Sequence, residues 1–306
     1  MEVDEAASAL LARIGSLRQH QIKGKRSPHK PLLVLLALGQ MAATGSSEVP
    51  WSLAEQKLAE LISEFGTPRR TGAAQGAAYP FTRLQADGIW VLDRDVPMDQ
   101  VGPLRQHQVT GRLERSFEDL LRARPALLEE AARRLVTSQF PDTVAPDVLV
   151  AVGLDPALLH AWRDADHTGR GTAALRRRSQ VWRTSVLQAW DRQCAFCGFD
   201  GQIGGATVGI DAAHVRWFAF DGPDSLDNGL ALCTLHHKLF DLGAVGLTAE
   251  LTIQVSTMFT ARTSTGRQVY ELHGRELTRR TGTAPPAHAH VTWHTTQVFK
   301  GKPLSV

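Results

Sequence analysis

All three cysteines of this 306-residue chain lie between positions 194 and 233, in the pairs Cys194-x-x-Cys197 and Cys233-x-x-His236. An odd, clustered set argues against a disulfide framework and for a reducing compartment or a metal site. Two pairs of soft donors at this spacing suit a tetrahedral zinc, because a tight turn sets both members of a pair on one ion. With all four positions filled by protein, such a Zn²⁺ is structural rather than catalytic. A small loop-rich module built around it depends on the metal to fold.

The rest of the composition is that of a folded globular chain. Apolar residues make up 43% and charged residues 21%, which excludes wholesale disorder and fibrous repeats. The length predicts two domains. The longest apolar run, over 31–39, falls far short of the ~20 residues that a bilayer span needs. The start, Met1-Glu2-Val3-Asp4-Glu5, is acidic and has neither the basic nor the apolar region of a signal peptide. The expectation is a cytoplasmic protein without a membrane partner. The net charge of +3 is unevenly spread, −1 over residues 1–155 and +4 over 156–306. That excess permits a polyanionic partner for the second half without proving one.

Periodicity predicts an amphipathic helix over 5–22 and a helix opening at Ser27-Pro28 that is apolar nearly all round through Met41. Ser52-x-x-Glu55 reads as a capping box opening a helix to Phe65. Residues 66–78 read as a loop, and Phe81–Leu84 with Ile89–Leu92 as a β-hairpin. A helical stretch over 116–139 is broken near Pro125, and a long helix covers Ala173–Trp190. The expected fold class is α+β in two domains. Residues 1–155 form a mainly helical domain with a small β-hairpin or sheet, 156–172 a linker, and 173–306 the cysteine-containing domain.

Between the two metal pairs lies Ile210-Asp211-Ala212-Ala213-His214-Val215, then Asn228-Gly229-Leu230, then His236-His237-Lys238-Leu239-Phe240-Asp241. With the late Trp293-His294 and Val298-Phe299, this order resembles the HNH nuclease family, in its McrA-like branch. The resemblance covers about residues 173–300 and implies a ββα-metal domain with a structural zinc. It implies His214 as general base, Asn228 as the residue that braces the loop or joins the metal shell, and His237 as ligand of one catalytic Mg²⁺ or Mn²⁺. Phosphodiester hydrolysis needs such a base to activate water and a cation to neutralise charge at phosphorus, and a neutral imidazole titrates close to working pH. Many members carry an acid immediately before the base histidine; here that residue is Ala213. Asp211 and Asp241 are the nearby acids, and Asp211 is the tentative second metal ligand. Arg176, Arg177, Arg178 and Arg183 ahead of the zinc pairs, and Arg279 and Arg280 beyond, are either phosphate contacts or a solvated face.

In the first half, Ser27-Pro28-His29-Lys30-Pro31-Leu32-Leu33, Tyr79-Pro80-Phe81-x-Arg83-Leu84-Gln85 and Asp87-Gly88-Ile89-Trp90 resemble the sulfur-binding domain of McrA-like type IV restriction endonucleases, over about residues 8–140. The resemblance implies that double-stranded, phosphorothioated DNA is the partner. Tyr79 and Pro80 are then candidates for an apolar pocket wall. His29, Lys30, Arg83 and the basic loop ending in Arg26 are candidate phosphate contacts, and Thr110-Gly111-Arg112 a candidate base-reading loop. Equally, Tyr79-Pro80 reads as a turn before a strand, and His29-Lys30 as the surface of a helix's first turn. The function expected is a modification-dependent DNA endonuclease, acting as a homodimer or by two successive nicks. The alternatives are an HNH endonuclease directed to a methylated base or to unmodified DNA, and a catalytically inactive zinc-containing DNA-binding protein.

Overall fold

The structure, a computed structural model, describes residues 2–17, 27–66, 72–159, 170–278 and 282–305, with the side chains of 2–3 and 170–179 left aside. The chain divides into two compact units, Met1–Trp162 and Arg163–Val306. Arg26, Arg279, Arg280, the side chains of Arg176, Arg177 and Arg178, and most of the expected linker lie outside the described residues.

The first unit is helical around one small sheet. Helix α1 (Glu2–Gly15) buries Leu10 and Ile14. Helix α2 (His29–Thr44) follows Pro28 and is buried almost all round, as its apolar composition predicts. Strand β1 (Val49–Pro50) leads into a helical run in which α3 (Trp51–Leu53) passes through a π-turn (Ala54–Leu58) into α4 (Ala59–Phe65). The helix therefore starts before Ser52, so Ser52 and Glu55 are interior residues and form no capping box. Glu55 instead takes a hydrogen bond from Arg105.

The largest departure from the sequence reading is α5 (Ala73–Arg83), a helix where a loop and the first strand of a hairpin are expected. Alanine is the best helix former, and 73–78 holds four of them. Pro80 lies inside the helix, where its missing N–H frees a carbonyl one turn back. A 3₁₀ turn (Leu84–Asp87) then delivers β2 (Trp90–Leu92). Its partner is not Phe81–Leu84 but β3 (Thr110–Leu113), which follows α6 (Val101–Gln106). The sheet order is β1-β3-β2, all antiparallel, with Trp90 opposite Leu113 and Val49 opposite Gly111. Gly111 is demanded by packing, since a Cβ there would sit 2.2 Å from the Trp90 indole.

Helices α7 (Arg115–Ala123) and α8 (Pro125–Gln139) break at Pro125 as expected. Helix α9 (Ala145–Ala151) closes the unit. Its end seats on α2, where a Cβ on Gly39 would meet the Val152 carbonyl at 1.8 Å.

One carboxylate organises this unit. Glu118 is fully buried, accepts from Ser47 Oγ at 2.7 Å and pairs with Arg112 at 2.6 Å and Arg122 at 2.7 Å. Burial alone raises a carboxyl's pKa, but the hydrogen bonds from Ser47 and Arg112 outweigh it and hold Glu118 below its ordinary value.

The second unit opens with α10 (Arg170–Ala189). A short hairpin, β4 (Gln202–Ile203) with β5 (Ala206–Thr207), precedes the main one, β6 (Ile210–His214) with β7 (Gly229–Cys233). The main register runs from Ile210 opposite Cys233 to His214 opposite Gly229. Helix α11 (Thr234–Asp241) follows β7 directly, and β8 (Val245–Leu247), β9 (Ile253–Val255) and α12 (His288–Gln297) complete the unit. Trp182 and Val186 of α10, and Trp190 just beyond it, share one core with Ile210, Ala213, Leu230 and Phe240. Gly229 lets α10 lie against β7, since a Cβ there would meet Val186 at 2.5 Å.

Truncating Glu118 leaves Ser47, Arg112 and Arg122 without their common acceptor. Breaking a buried ion pair from one side costs about 3–5 kcal/mol. Glu118→Ala is therefore expected to lower the unfolding free energy by about that amount in urea titrations of the full chain. An unchanged midpoint would show that the network contributes nothing.

Candidate metal centre and nuclease site

The two pairs of candidate metal ligands converge. Ligand atoms of Cys194, Cys197, Cys233 and His236 all lie within 4.8 Å of one another. Two elements bring them there. Cys194 and Cys197 occupy a knuckle in which Gly198, at φ 74, donates its N–H back to the Cys194 carbonyl at 2.8 Å. Cys233 ends β7 and immediately precedes α11, whose first turn carries His236. The His236 Nδ1 is 3.3 Å from Cys233 Sγ and 3.5 Å from Cys194 Sγ. The donor set, its closeness and its four-fold count fit a structural zinc.

Among the described residues no second group of this kind is assembled. The three histidine and asparagine positions of the HNH pattern are instead each built into a separate contact. His214 ends β6, stacks on Trp182 with ring centroids 3.8 Å apart, and places Nε2 2.9 Å from Asp224 Oδ1. Asn228 is fully buried and braces the loop between β6 and β7. Its Oδ1 accepts from Arg216 N at 2.8 Å, and its Nδ2 donates to the Arg216 and Pro223 carbonyls at 3.0 Å each. His237 is one residue beyond His236. A step of one residue turns a helix by about 100°, so His237 leaves the cysteines and faces Asp241 one turn on, Nε2 to Oδ2 at 3.3 Å.

Asp241 is also buried and accepts from Trp217 Nε1 at 3.0 Å. That bond ties α11 to the loop after β6. Behind α11, His294 of α12 stacks on Phe240 at 3.7 Å and donates Nε2–H to the Phe240 carbonyl at 3.0 Å. Full burial pushes His294 down to about 4, so it is neutral at working pH.

Asp211 is not part of this group. It stands three residues before His214 on one strand, and alternation sends residues an odd number apart to opposite faces. Its carboxylate pairs with Arg183 at 2.9 Å, so Arg183 is also an ion-pair partner of the domain's own acid. Two other residues at the site carry no spacing signal in the sequence. Asp224 lies in an irregular loop, and Trp182 reads simply as a core residue of α10.

In the first unit, Tyr79, Pro80 and Arg83 share helix α5. Pro80 is buried, and the Arg83 guanidinium lies 5.2 Å over the Tyr79 ring while bonding Asp99 at 2.8 Å. His29 and Lys30 open α2, which packs against α5. His29 is buried rather than a surface residue, and a Cβ on Gly66 would meet its Nε2 at 3.3 Å. Lys30 pairs with Asp87, at the end of the turn that follows α5. Thr110-Gly111-Arg112 is strand β3 rather than a loop. Arg112 is committed to Glu118 and Glu48, the latter at 3.2 Å, which removes it from a base-reading role.

Comparison with known proteins divides at the same place. Residues 7–157 match the family model described as the ScoMcrA-like DNA sulfur-binding domain, and residues 194–248 match that of HNH endonucleases. No curated protein matches the chain. Among solved structures, the sulfur-binding domain of ScoMcrA complexed with phosphorothioated DNA is 24% identical, with a TM-score of 0.41, covering 47% of this chain and 94% of that one. The corresponding domain of SprMcrA, also complexed with phosphorothioated DNA, is 21% identical, with a TM-score of 0.40, covering 48% and 94%. The type IV phosphorothioation-dependent restriction endonuclease ScoMcrA itself is 24% identical, with a TM-score of 0.40, over 49% of this chain and 28% of that one. No helix among the described residues is long and apolar enough to cross a membrane.

If the four-donor cluster holds a structural metal, stripping it removes the link between knuckle, β7 and α11. Chelation, or Cys233→Ser, is expected to abolish the cooperative unfolding transition of the second unit, followed by the fluorescence of Trp182, Trp190, Trp217 and Trp293, and stoichiometric Zn²⁺ is expected to restore it after chelation. Retention of the transition without metal would contradict a structural role.

Proposed function

Given that this chain joins a ScoMcrA-like DNA sulfur-binding domain to an HNH endonuclease domain, we propose that it is a modification-dependent endonuclease that binds phosphorothioated duplex DNA and hydrolyses phosphodiester bonds nearby. The observation that carries the reading is the order of parts in the second unit. His214 ends one strand, Asn228 leads the next, and His237 sits on the helix that the four-donor cluster anchors.

His214 is the general base. It takes a proton from the attacking water as the new P–O bond forms. Asn228 holds the loop that carries the site. His237 is the residue to hold one divalent cation, Mg²⁺ or Mn²⁺, with Asp241 fixing its ring. When bound, such an ion neutralises charge on the phosphate and the leaving oxygen. The products are a 3′-hydroxyl and a 5′-phosphate. One such site per chain cuts one strand, so double-strand scission takes a second copy or two successive nicks.

In the first unit the chemistry of sulfur sets the requirement. A non-bridging sulfur is larger and more weakly hydrated than oxygen. An apolar wall accepts it at little cost, whereas a phosphate oxygen there loses hydration without compensation. Tyr79 and Pro80 supply such a wall, and His29, Lys30 and Arg83 lie on the two helices beside it. In a DNA complex the guanidinium of the partly exposed Arg83–Asp99 pair exchanges its carboxylate for phosphate oxygens.

The test is cleavage of one plasmid prepared with and without phosphorothioates, in Mg²⁺ and in Mn²⁺. The wild-type chain is expected to cut the modified DNA and spare the plain DNA. His214→Ala is expected to lose about 10²–10⁴-fold in rate while still binding the modified duplex. Equal cutting of both plasmids, or full activity in His214→Ala, would contradict the reading.

A further inference from the structure

We propose that Asp224 is the positioning residue of the cleavage site, its carboxylate fixing the tautomer and orientation in which His214 acts. The inference rests on the reading of His214 as the base and concerns a residue that the HNH pattern does not include. The contact is direct. Asp224 Oδ1 lies 2.9 Å from His214 Nε2. A carboxylate only accepts, so Nε2 carries the proton and Nδ1 is the basic nitrogen.

The loop around Asp224 is held on both sides of that residue. The Pro223 carbonyl accepts from Asn228 Nδ2 at 3.0 Å. The Ser225 carbonyl accepts from Trp182 Nε1 at 3.0 Å and from the Asn228 N–H at 3.1 Å. Trp182 thus does two things at once: its ring face stacks on His214, 13° from parallel, and its N–H holds the residue after Asp224. Asn228, the second residue of the HNH pattern, holds the residue before it. Loop and ring are located relative to one another before any substrate arrives. The dyad is also withdrawn from water, with the side chains 9% exposed for Asp224 and 21% for His214, which strengthens a charge-assisted bond. Trp182 and Phe218 also face His214 with their rings, and neither carries charge.

In the reaction the water oxygen bonds to phosphorus, the P–O3′ bond breaks and the water proton passes to His214 Nδ1. The Asp224 carboxylate stabilises the imidazolium that forms. The leaving 3′-oxygen takes its proton from solvent.

The experiment compares the full chain with Asp224→Ala, Asp224→Asn, Asp224→Glu and His214→Ala, on the same DNA substrate. It also records ¹⁵N spectra of the imidazoles, with the His214 signals identified by their loss in His214→Ala. Asp224→Asn is expected to lower kcat at least ten-fold, a part of the roughly 10²–10⁴ that a positioned base contributes, with KM for DNA unchanged. Its acid limb is expected at lower pH, because losing the carboxylate lowers the imidazole pKa. Asp224→Glu is expected to recover part of the rate. The wild-type spectrum is expected to show His214 protonated at Nε2 alone, and Asp224→Asn a mixture of tautomers. An inactive His214→Ala beside a fully active Asp224→Ala would overturn this inference and leave the base reading standing. An active His214→Ala would overturn the base reading itself. Where Asp224→Ala does not fold or no substrate is cut, the wild-type spectrum decides, and an Nδ1-protonated His214 overturns the proposal.

Discussion

The four-donor cluster of Cys194, Cys197, Cys233 and His236 is the constraint on which the second unit depends. It joins a knuckle, the end of β7 and the start of α11, three segments that share few backbone hydrogen bonds. The Ala195 N–H on the Ala231 carbonyl, at 2.8 Å, is one of them. Fixing His236 in the first turn of α11 fixes the rotation of the helix. The rotation decides where His237 and Asp241 face, and Trp217 then ties Asp241 to the loop after β6. His294 and Phe240 close the helix from the other side. The sheets of this unit are two-stranded, so the shared core of Trp182, Val186, Ile210 and Phe240 carries the rest of its packing.

The first unit is organised by different means, a broad apolar core and one buried carboxylate. Its cations show why a near-neutral domain is compatible with a polyanionic partner. Lys30, Arg83 and Arg112 each have an internal carboxylate, Asp87, Asp99 and Glu118. The three differ in depth. Glu118 is fully buried and accepts from Ser47, Arg112 and Arg122, so Arg112 is structural. The Arg83–Asp99 pair is partly exposed, and an exposed pair is worth little, so exchange of its carboxylate for phosphate costs little. Charge balance along the sequence therefore says less about a nucleic-acid interface than the depth of each ion pair.

The parts of this chain legible in the sequence are those set by local spacing. The cysteine pairs, the order of His214, Asn228 and His237, the apolar helix after Pro28 and the break at Pro125 are all fixed by residues close in the chain. Helix α5 is not legible because a stretch rich in glycine, alanine, threonine and arginine reads as loop. In the fold, alanine propensity and burial of Ala77, Ala78 and Phe81 decide. The partner of β2 was not legible either, since β3 comes from beyond α6 and pairing depends on chain closure rather than pattern. Asp211 could have been set aside earlier from strand parity alone. Asp224 could not, because only the return of the loop, clamped by Asn228 and Trp182, carries it to His214.

In the proposed function the first unit reads sulfur and the second cuts, and binding tests the first role without any cleavage. The measurement is a gel-shift titration, at one fixed salt concentration, of a single duplex made plain, with one phosphorothioate in the Rp configuration, and with the same one in the Sp configuration. A preference for one stereoisomer over the plain duplex of ten-fold or more, about 1.4 kcal/mol, is the predicted result. Equal affinity for all three duplexes would contradict the sulfur-reading role of the first unit.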